Sequence, residues 1–240
     1  MGIVIALAMG HFLAVVALPD VWPFSADRVQ ALFDLDGEAA PGAFFSALAL
    51  LACAGAGAFV AAAEPERAIR RFWLIAAALA AFLAVDEAVA LHEQFGAIGK
   101  PLTGGRGVFT ISWWAVYPLF LAPVVALLAP GLLRQSAATR NRLLAAGALY
   151  VGVVIGFEIA QSLARDEFVS ALGLRGADGI DWTAYAQSLA SPAGQTYEMR
   201  QHWLTLGEEP LEMAAVALAL RAALLRAAEL GASLRLTAGA

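Results

Sequence analysis

The sequence predicts an all-α protein, a polytopic transmembrane helical bundle of about six spans with both termini cytoplasmic. Three observations predict it. The 240 residues are 61% hydrophobic, with a mean hydropathy of +0.72. Only 15% are charged, against about a quarter in soluble domains. The apolar residues also gather into runs close to the ~20 residues that cross a ~30 Å hydrocarbon core. One soluble core of this size cannot hold that excess, so residues 1–240 are expected to form a single integral membrane domain in the inner (plasma) membrane.

The spans follow in order. MGIVIALAMGHFLAVVALP has no positive n-region and no A-x-A site after it, so it is expected to stay as the first span, Ile3–Pro19. An outer loop over about 20–42 carries an amphipathic stretch, SADRVQALFDLDGE, with Ser25 as its N-cap. Ala43–Ala63, Phe72–Glu93, Phe109–Leu128 and Leu143–Leu163 are the next four spans. A second outer loop, about 165–207, should hold two short helices, Asp181–Leu189 and Tyr197–Trp203. The sixth span is Glu209–Leu225, where Thr205 and Glu208 have capping-box spacing and Pro210 suits a first turn. No internal repeat is visible.

Orientation follows from Lys and Arg. Arg67, Arg70, Arg71, Arg134, Arg140, Arg142, Arg221, Arg226 and Arg235 fall on one side of this topology, which should be cytoplasmic. The other side is acidic, holding every carboxylate except Glu64, Glu66 and Glu229. Trp22, Trp113, Trp114, Trp182 and Trp203 lie near the outer interface, where indoles anchor at headgroup level. The net charge of −5 and the lack of a basic stripe argue against a nucleic-acid partner. A single Cys53 excludes an intramolecular disulfide and a cysteine-based metal site.

Ionisable residues inside spans are costly unless they are paired or hydrated. The third span ends in FLAVDEAVALHEQFG, with Asp86 and Glu93 on one helix face and Glu87 and His92 flanking it. The fifth carries Glu158 beside Gly152 and Gly156, a spacing that lets another helix approach closely. Capping accounts for Glu208 and largely for Glu209, but not for Glu212 one turn deeper. Glu198 and His202 stand at i and i+4, where an exposed turn is as good an account as a ligand pair. His11, near mid-span, reads as a packed, hydrogen-bonded residue. The topology gathers these carboxylates and imidazoles in the same outer third. Crowded in low dielectric, they cannot all ionise without a cation.

The residues LDGEAAPGAFFS, DEAVALHE, Gly156-Phe-Glu158 and EEPLEM resemble a group of bacterial multi-span membrane proteins with no established activity. Asp36, Gly37, Glu38, Phe45, Ser46, Asp86, Glu87, His92, Glu93, Glu158, Glu208, Glu209, Glu212 and Met213 match its pattern. Pro41 comes one position early, and alanine replaces an amide side chain after Glu38. The resemblance implies a shared fold and site, not a reaction.

The leading expectation is an outward-facing site that binds zinc, iron or manganese, the metals a mixed Glu/Asp/His set suits. Asp86, Glu87, His92, Glu158 and Glu212 are the expected ligands, and Glu93 or Glu209 the general base. Such a site would activate water to hydrolyse a lipid-like substrate. Two rivals stand beside it. A proton- or cation-coupled transporter would use the same carboxylates, but the inner half lacks polar residues and Tyr150 lies at the wrong depth for a path. An accessory subunit, in a homo-oligomer or docked on a partner membrane subunit, would use the acidic face as a surface. Ser/His/Asp and Cys/His arrangements, a histidine-rich diiron site and a haem pair are all missing at usable spacing.

Overall fold

Long runs rich in Ala and Leu favour helix, and the chain follows them. The computed structural model describes residues 2–17, 33–35, 40–92, 95, 103–110, 113–176 and 179–232. Among these are seven α-helices and one pair of two-residue strands. α1 (Gly2–His11) passes directly into a π-helical segment, Phe12–Ala17. α2 (Pro41–Ala63) starts with proline in its first turn, where the missing N–H costs nothing. α3 (Arg67–Val89) follows within a few residues and packs back against α2. α4 (Trp113–Arg134) stays helical through Pro118, Pro123 and Pro130.

Ser136 then caps α5 (Ala137–Ala171), its Oγ accepting the Thr139 N–H at 3.2 Å. An antiparallel pair, β1 (Arg175–Gly176) and β2 (Gly179–Ile180), leads to α6 (Trp182–Leu189). Asp181 caps α6, accepting the N–H groups of Thr183 and Ala184 at 3.1 and 3.0 Å. Ser191 and Pro192 start α7 (Pro192–Glu229).

α7 is the central element and packs against α1, α2, α5 and α6. One end of the bundle is closed by Val60 and Ala61 of α2, Ile69, Phe72 and Trp73 of α3, and Ala223 and Ala227 of α7. α4 reaches α3 through Gly131, where an added Cβ would lie 2.5 Å from Phe72 Cβ and 2.6 Å from the Ala68 carbonyl oxygen. Arginines answer the carboxylates at this end. Arg226 pairs with buried Glu64 at 2.6 Å, Arg134 with Glu66 at 3.2 Å and Arg142 with Glu229 at 3.4 Å.

Three helices are long and apolar enough to cross a membrane: α2, α3 and α5. Gly2–Ala17 and Leu121–Arg134 are shorter apolar helices. Each of the six stretches predicted from sequence overlaps a helix. Phe44, Leu48, Leu51, Leu74, Val85 and Leu144 stay exposed on the long helices, an apolar surface that calls for a non-aqueous neighbour.

Several local expectations are corrected. The long second loop is largely helical, because α5 runs on to Ala171 and α7 already begins at Pro192. Tyr197–Trp203 is therefore part of α7. Thr205 and Glu208 lie in its interior and cap nothing, since Ser191 already supplies the cap by accepting the Gly194 N–H at 3.1 Å. Pro210 sits mid-helix. Among the described residues Gly152 and Gly156 do not mark a close helix contact, as an added Cβ at either would meet no atom of another helix within 4 Å. Asp36–Glu38, Glu93, Ser25 and Trp22 lie outside the described residues, so the first-loop helix and the Glu93 base lie there as well.

Candidate functional site

The end opposite the arginines holds a cavity of about 810 Å³ between α3, α4, α5 and α7, with α6 at its rim. Its apolar lining comes from Leu79 and Leu83 of α3, Leu121 and Val124 of α4, and Val154 and Ile155 of α5. Its charged lining lies about one turn further along α3 and α5 and on α7. Asp86, Glu87 and His92 from the α3 end, Glu158 from α5, and Glu208, Glu209 and Glu212 from α7 all belong to it.

The α3 end explains how His92 reaches Asp86. The helix stops at Val89, and Ala90 takes the left-handed conformation at φ 45°, unusual for a residue with a side chain. The chain turns back there, and the His92 N–H donates to Asp86 Oδ1 at 2.6 Å. His92 Nδ1 lies 3.5 Å from Asp86 Oδ2. Helical periodicity carried on to Glu93 puts His92 on a flank, whereas the turn returns it to the carboxylate. A strained αL residue beside a polar cluster is a common mark of a functional site.

The network continues into the neighbouring helices. The His92 ring lies 4.8 Å from that of Trp113, whose Nε1–H donates to Glu158 Oε1 at 3.1 Å. Gln161 donates to Glu208 Oε2 at 2.5 Å, joining α5 to α7. Trp113 is thus a cavity donor, and Trp114 donates to the Val108 carbonyl at 3.2 Å. Trp182 and Trp203 are about half exposed, as anchors are. Tyr150 lines the same cavity as the carboxylates, so its depth does not separate it from them.

At the rim the lining changes sign. Arg165 is the one cation among the described lining residues. Its Nε donates to the Tyr197 hydroxyl at 3.3 Å, and the Tyr185 hydroxyl donates to the same oxygen at 3.1 Å. Burial and this hydrogen bond push the Tyr185 phenol above its ordinary range, so it remains a hydroxyl. Phe168 stacks on Tyr197 with ring centroids 4.5 Å apart. The turn Gly107–Phe109 is held to α5, because Thr110 donates to Asp166 Oδ1 at 3.3 Å and Asp166 also pairs with Arg175.

The sequence-predicted residues Asp86, Glu87, His92, Glu158, Glu209 and Glu212 thus share one cavity, with Glu93 outside the described residues. Among the described residues, however, the group whose ligand atoms all lie within 4.8 Å of one another is a different one: His11, Asp34 and His202. Sequence reasoning passed over Trp113, Gln161, Arg165 and Tyr197 because nothing local distinguishes them. His11 is packed and hydrogen-bonded as expected, and His202, left open between an exposed turn and a ligand pair, lies in α7 beside it.

The profile of a domain of unknown function, DUF8692, matches residues 2–227. No curated protein and no solved structure matches the chain.

Proposed function

The chain belongs to the DUF8692 family, a domain of unknown function, and on that premise we propose an integral membrane hydrolase that uses a divalent metal on a lipid-like substrate. In this reading about six helices span the inner membrane, both termini are cytoplasmic and the cavity faces outward. One observation carries it. Three helices and the turn after α3 bring Asp86, Glu87, His92, Glu158, Glu209 and Glu212 to one cavity that also has an extensive apolar lining. A volume of about 810 Å³ falls within the range of small-molecule sites. An amphiphile fits such a lining, with its chain along Leu83, Val124 and Val154 and its head among the charges. Arg165 favours an anionic head, as guanidinium pairs with phosphate or carboxylate.

The carboxylates and His92 are the donor set for zinc, iron or manganese. Among the described residues they do not bring three ligand atoms within 4.8 Å of one another, so a metal held there would need the substrate head as a further ligand. Held by Asp86, Glu87, His92, Glu158 and Glu212, such a cation would lower the pKa of water and stabilise the developing oxyanion. Glu209, or Glu93, takes the proton from that water. The resulting hydroxide attacks the ester carbon or phosphorus, the bond to the leaving oxygen breaks, and that oxygen takes up the proton.

The experiment is elemental analysis of detergent-purified protein with Glu158→Gln and His92→Ala alongside, coupled to hydrolysis of short-chain phospholipids. Metal-dependent turnover that falls in both variants supports the reading. Turnover that is unchanged in both, or absent with every metal, removes it.

A further inference from the structure

A second polar cluster lies next to this cavity and plays no part in the reading above. His11 closes α1 and is fully buried. Asp34 belongs to the short segment Phe33–Leu35, and His202 projects from α7. One ligand atom from each lies within 4.8 Å of the other two. His11 Nδ1 is 3.6 Å from Asp34 Oδ1, and the two imidazoles meet edge to face with centroids 5.7 Å apart.

Two further observations point to a ligand there. His11 Nδ1 lies 3.2 Å from the Phe33 carbonyl oxygen and 3.1 Å from the Leu35 nitrogen, and in the tautomer whose Nδ1–H donates to Phe33 the lone pair sits on Nε2. The other ring nitrogen, Nε2, is buried and meets no hydrogen-bond partner among the described residues. Native proteins normally supply a reason for such an unanswered atom. The backbone also becomes π-helical directly after His11, a distortion concentrated at functional sites.

We propose that His11, Asp34 and His202 bind a divalent transition-metal ion, zinc or ferrous iron. Two imidazoles and one carboxylate are a borderline donor set that both ions accept. Three protein ligands leave a coordination position for water or substrate, which distinguishes a reactive site from a closed structural one. Tetrahedral donors at about 2.0–2.2 Å from an ion stand roughly 3.3–3.5 Å apart. Leu35 and His202 also line the cavity, so the ion stands directly beside it. It ties α1 and the Phe33–Leu35 segment to α7. This site goes beyond the carboxylate reading and does not require it.

The test uses full-length protein carrying a tag without histidines, loaded with zinc, desalted and measured for bound metal. About one tightly held zinc per chain is expected. Retention should fall at least tenfold in His11→Ala and His202→Asn, and survive in Glu167→Gln, an exposed carboxylate outside both sites. Cobalt-loaded wild type should show the visible bands of a low-symmetry tetrahedral ion, and His202→Asn should lose them. Asp34→Asn, at a partly exposed position, serves as ligand variant where His11→Ala loses its helical circular dichroism. Zinc retained equally in the histidine variants, or no zinc and no cobalt bands in wild type, overturns the proposal. Zinc lost from Glu158→Gln but kept in His202→Asn also overturns it and leaves the carboxylate reading standing. The reverse pattern supports the trio and counts against a tight metal among the carboxylates.

Discussion

Trp113 Nε1–H donates to Glu158 Oε1 at 3.1 Å, so the first turn of α4 holds a carboxylate of α5 on the cavity wall. Trp113 in turn lies against His92, which reaches Asp86. One indole therefore couples the α3 and α5 contributions to the polar lining.

Replacing Trp113 by Phe keeps a ring beside His92 but removes the donor. Loss of a hydrogen bond to a carboxylate costs about 1–3 kcal/mol. The expected result is a lower midpoint of unfolding in detergent, together with weaker metal or substrate binding at the cavity. Unchanged binding and stability would show that Glu158 does not depend on this donor.

The opposite end offers a cleaner electrostatic test. Glu64 is 3% exposed, and the Arg226 fork reaches its Oε2 through Nε at 3.1 Å and Nη2 at 2.6 Å. Arg226→Met leaves a buried carboxylate without its main partner and should destabilise by about 3 kcal/mol or more. The double variant Glu64→Leu, Arg226→Met should recover most of that loss, because no buried charge remains. Chemical denaturation of both variants checks it. Equal destabilisation of single and double variants would refute the pairing argument.

Glycine positions separate packing from sequence pattern. Gly131→Leu drives a side chain into the Phe72 side chain and the Ala68 backbone and should splay α3 from α4. The expected cost is about 1–3 kcal/mol. Gly152→Ala and Gly156→Ala meet open space, and replacing a mid-helix glycine should be neutral or stabilising by about 0.5–1 kcal/mol. Thermal unfolding of the three variants decides it. A large loss at Gly152 or Gly156 would reveal a neighbouring helix outside the single chain.

These contrasts also show what was legible in the sequence. Helix positions were readable because apolar runs near ~20 residues have few other solutions. The cavity residues Asp86, Glu87, Glu158 and Glu212 were readable because a charge inside an apolar run needs a partner. His92 was expected on a flank of α3, and its return to Asp86 was not legible, since no residue type announces that Ala90 will adopt φ 45°. The α7 start was misplaced because capping-box spacing at Thr205 and Glu208 is a local signal, and Ser191 with Pro192 offered another. The His11–Asp34–His202 cluster joins residues from three distant parts of the chain. No spacing rule could bring them together, because long-range contacts follow from packing and not from local pattern.

The apolar lining gives the sharpest test of the substrate reading. Val154 lines the cavity one helical turn before Glu158 on α5, and its side chain is half-buried there. In a cavity of about 810 Å³, Val154→Trp can extend its indole into the open space without displacing the backbone. It should occupy the path of an acyl chain while leaving every carboxylate in place. Leu144→Trp, on the same helix but exposed and outside the cavity lining, is the matched control. Binding of a lysophospholipid by each variant, measured in detergent by displacement of a fluorescent analogue, reads the difference. Val154→Trp should weaken binding at least tenfold, with metal content unchanged, and Leu144→Trp should bind as wild type. If both variants bind alike, the acyl chain does not lie along this lining. The carboxylates would then have to serve a small cation or a docked partner, because the apolar lining would no longer have an occupant.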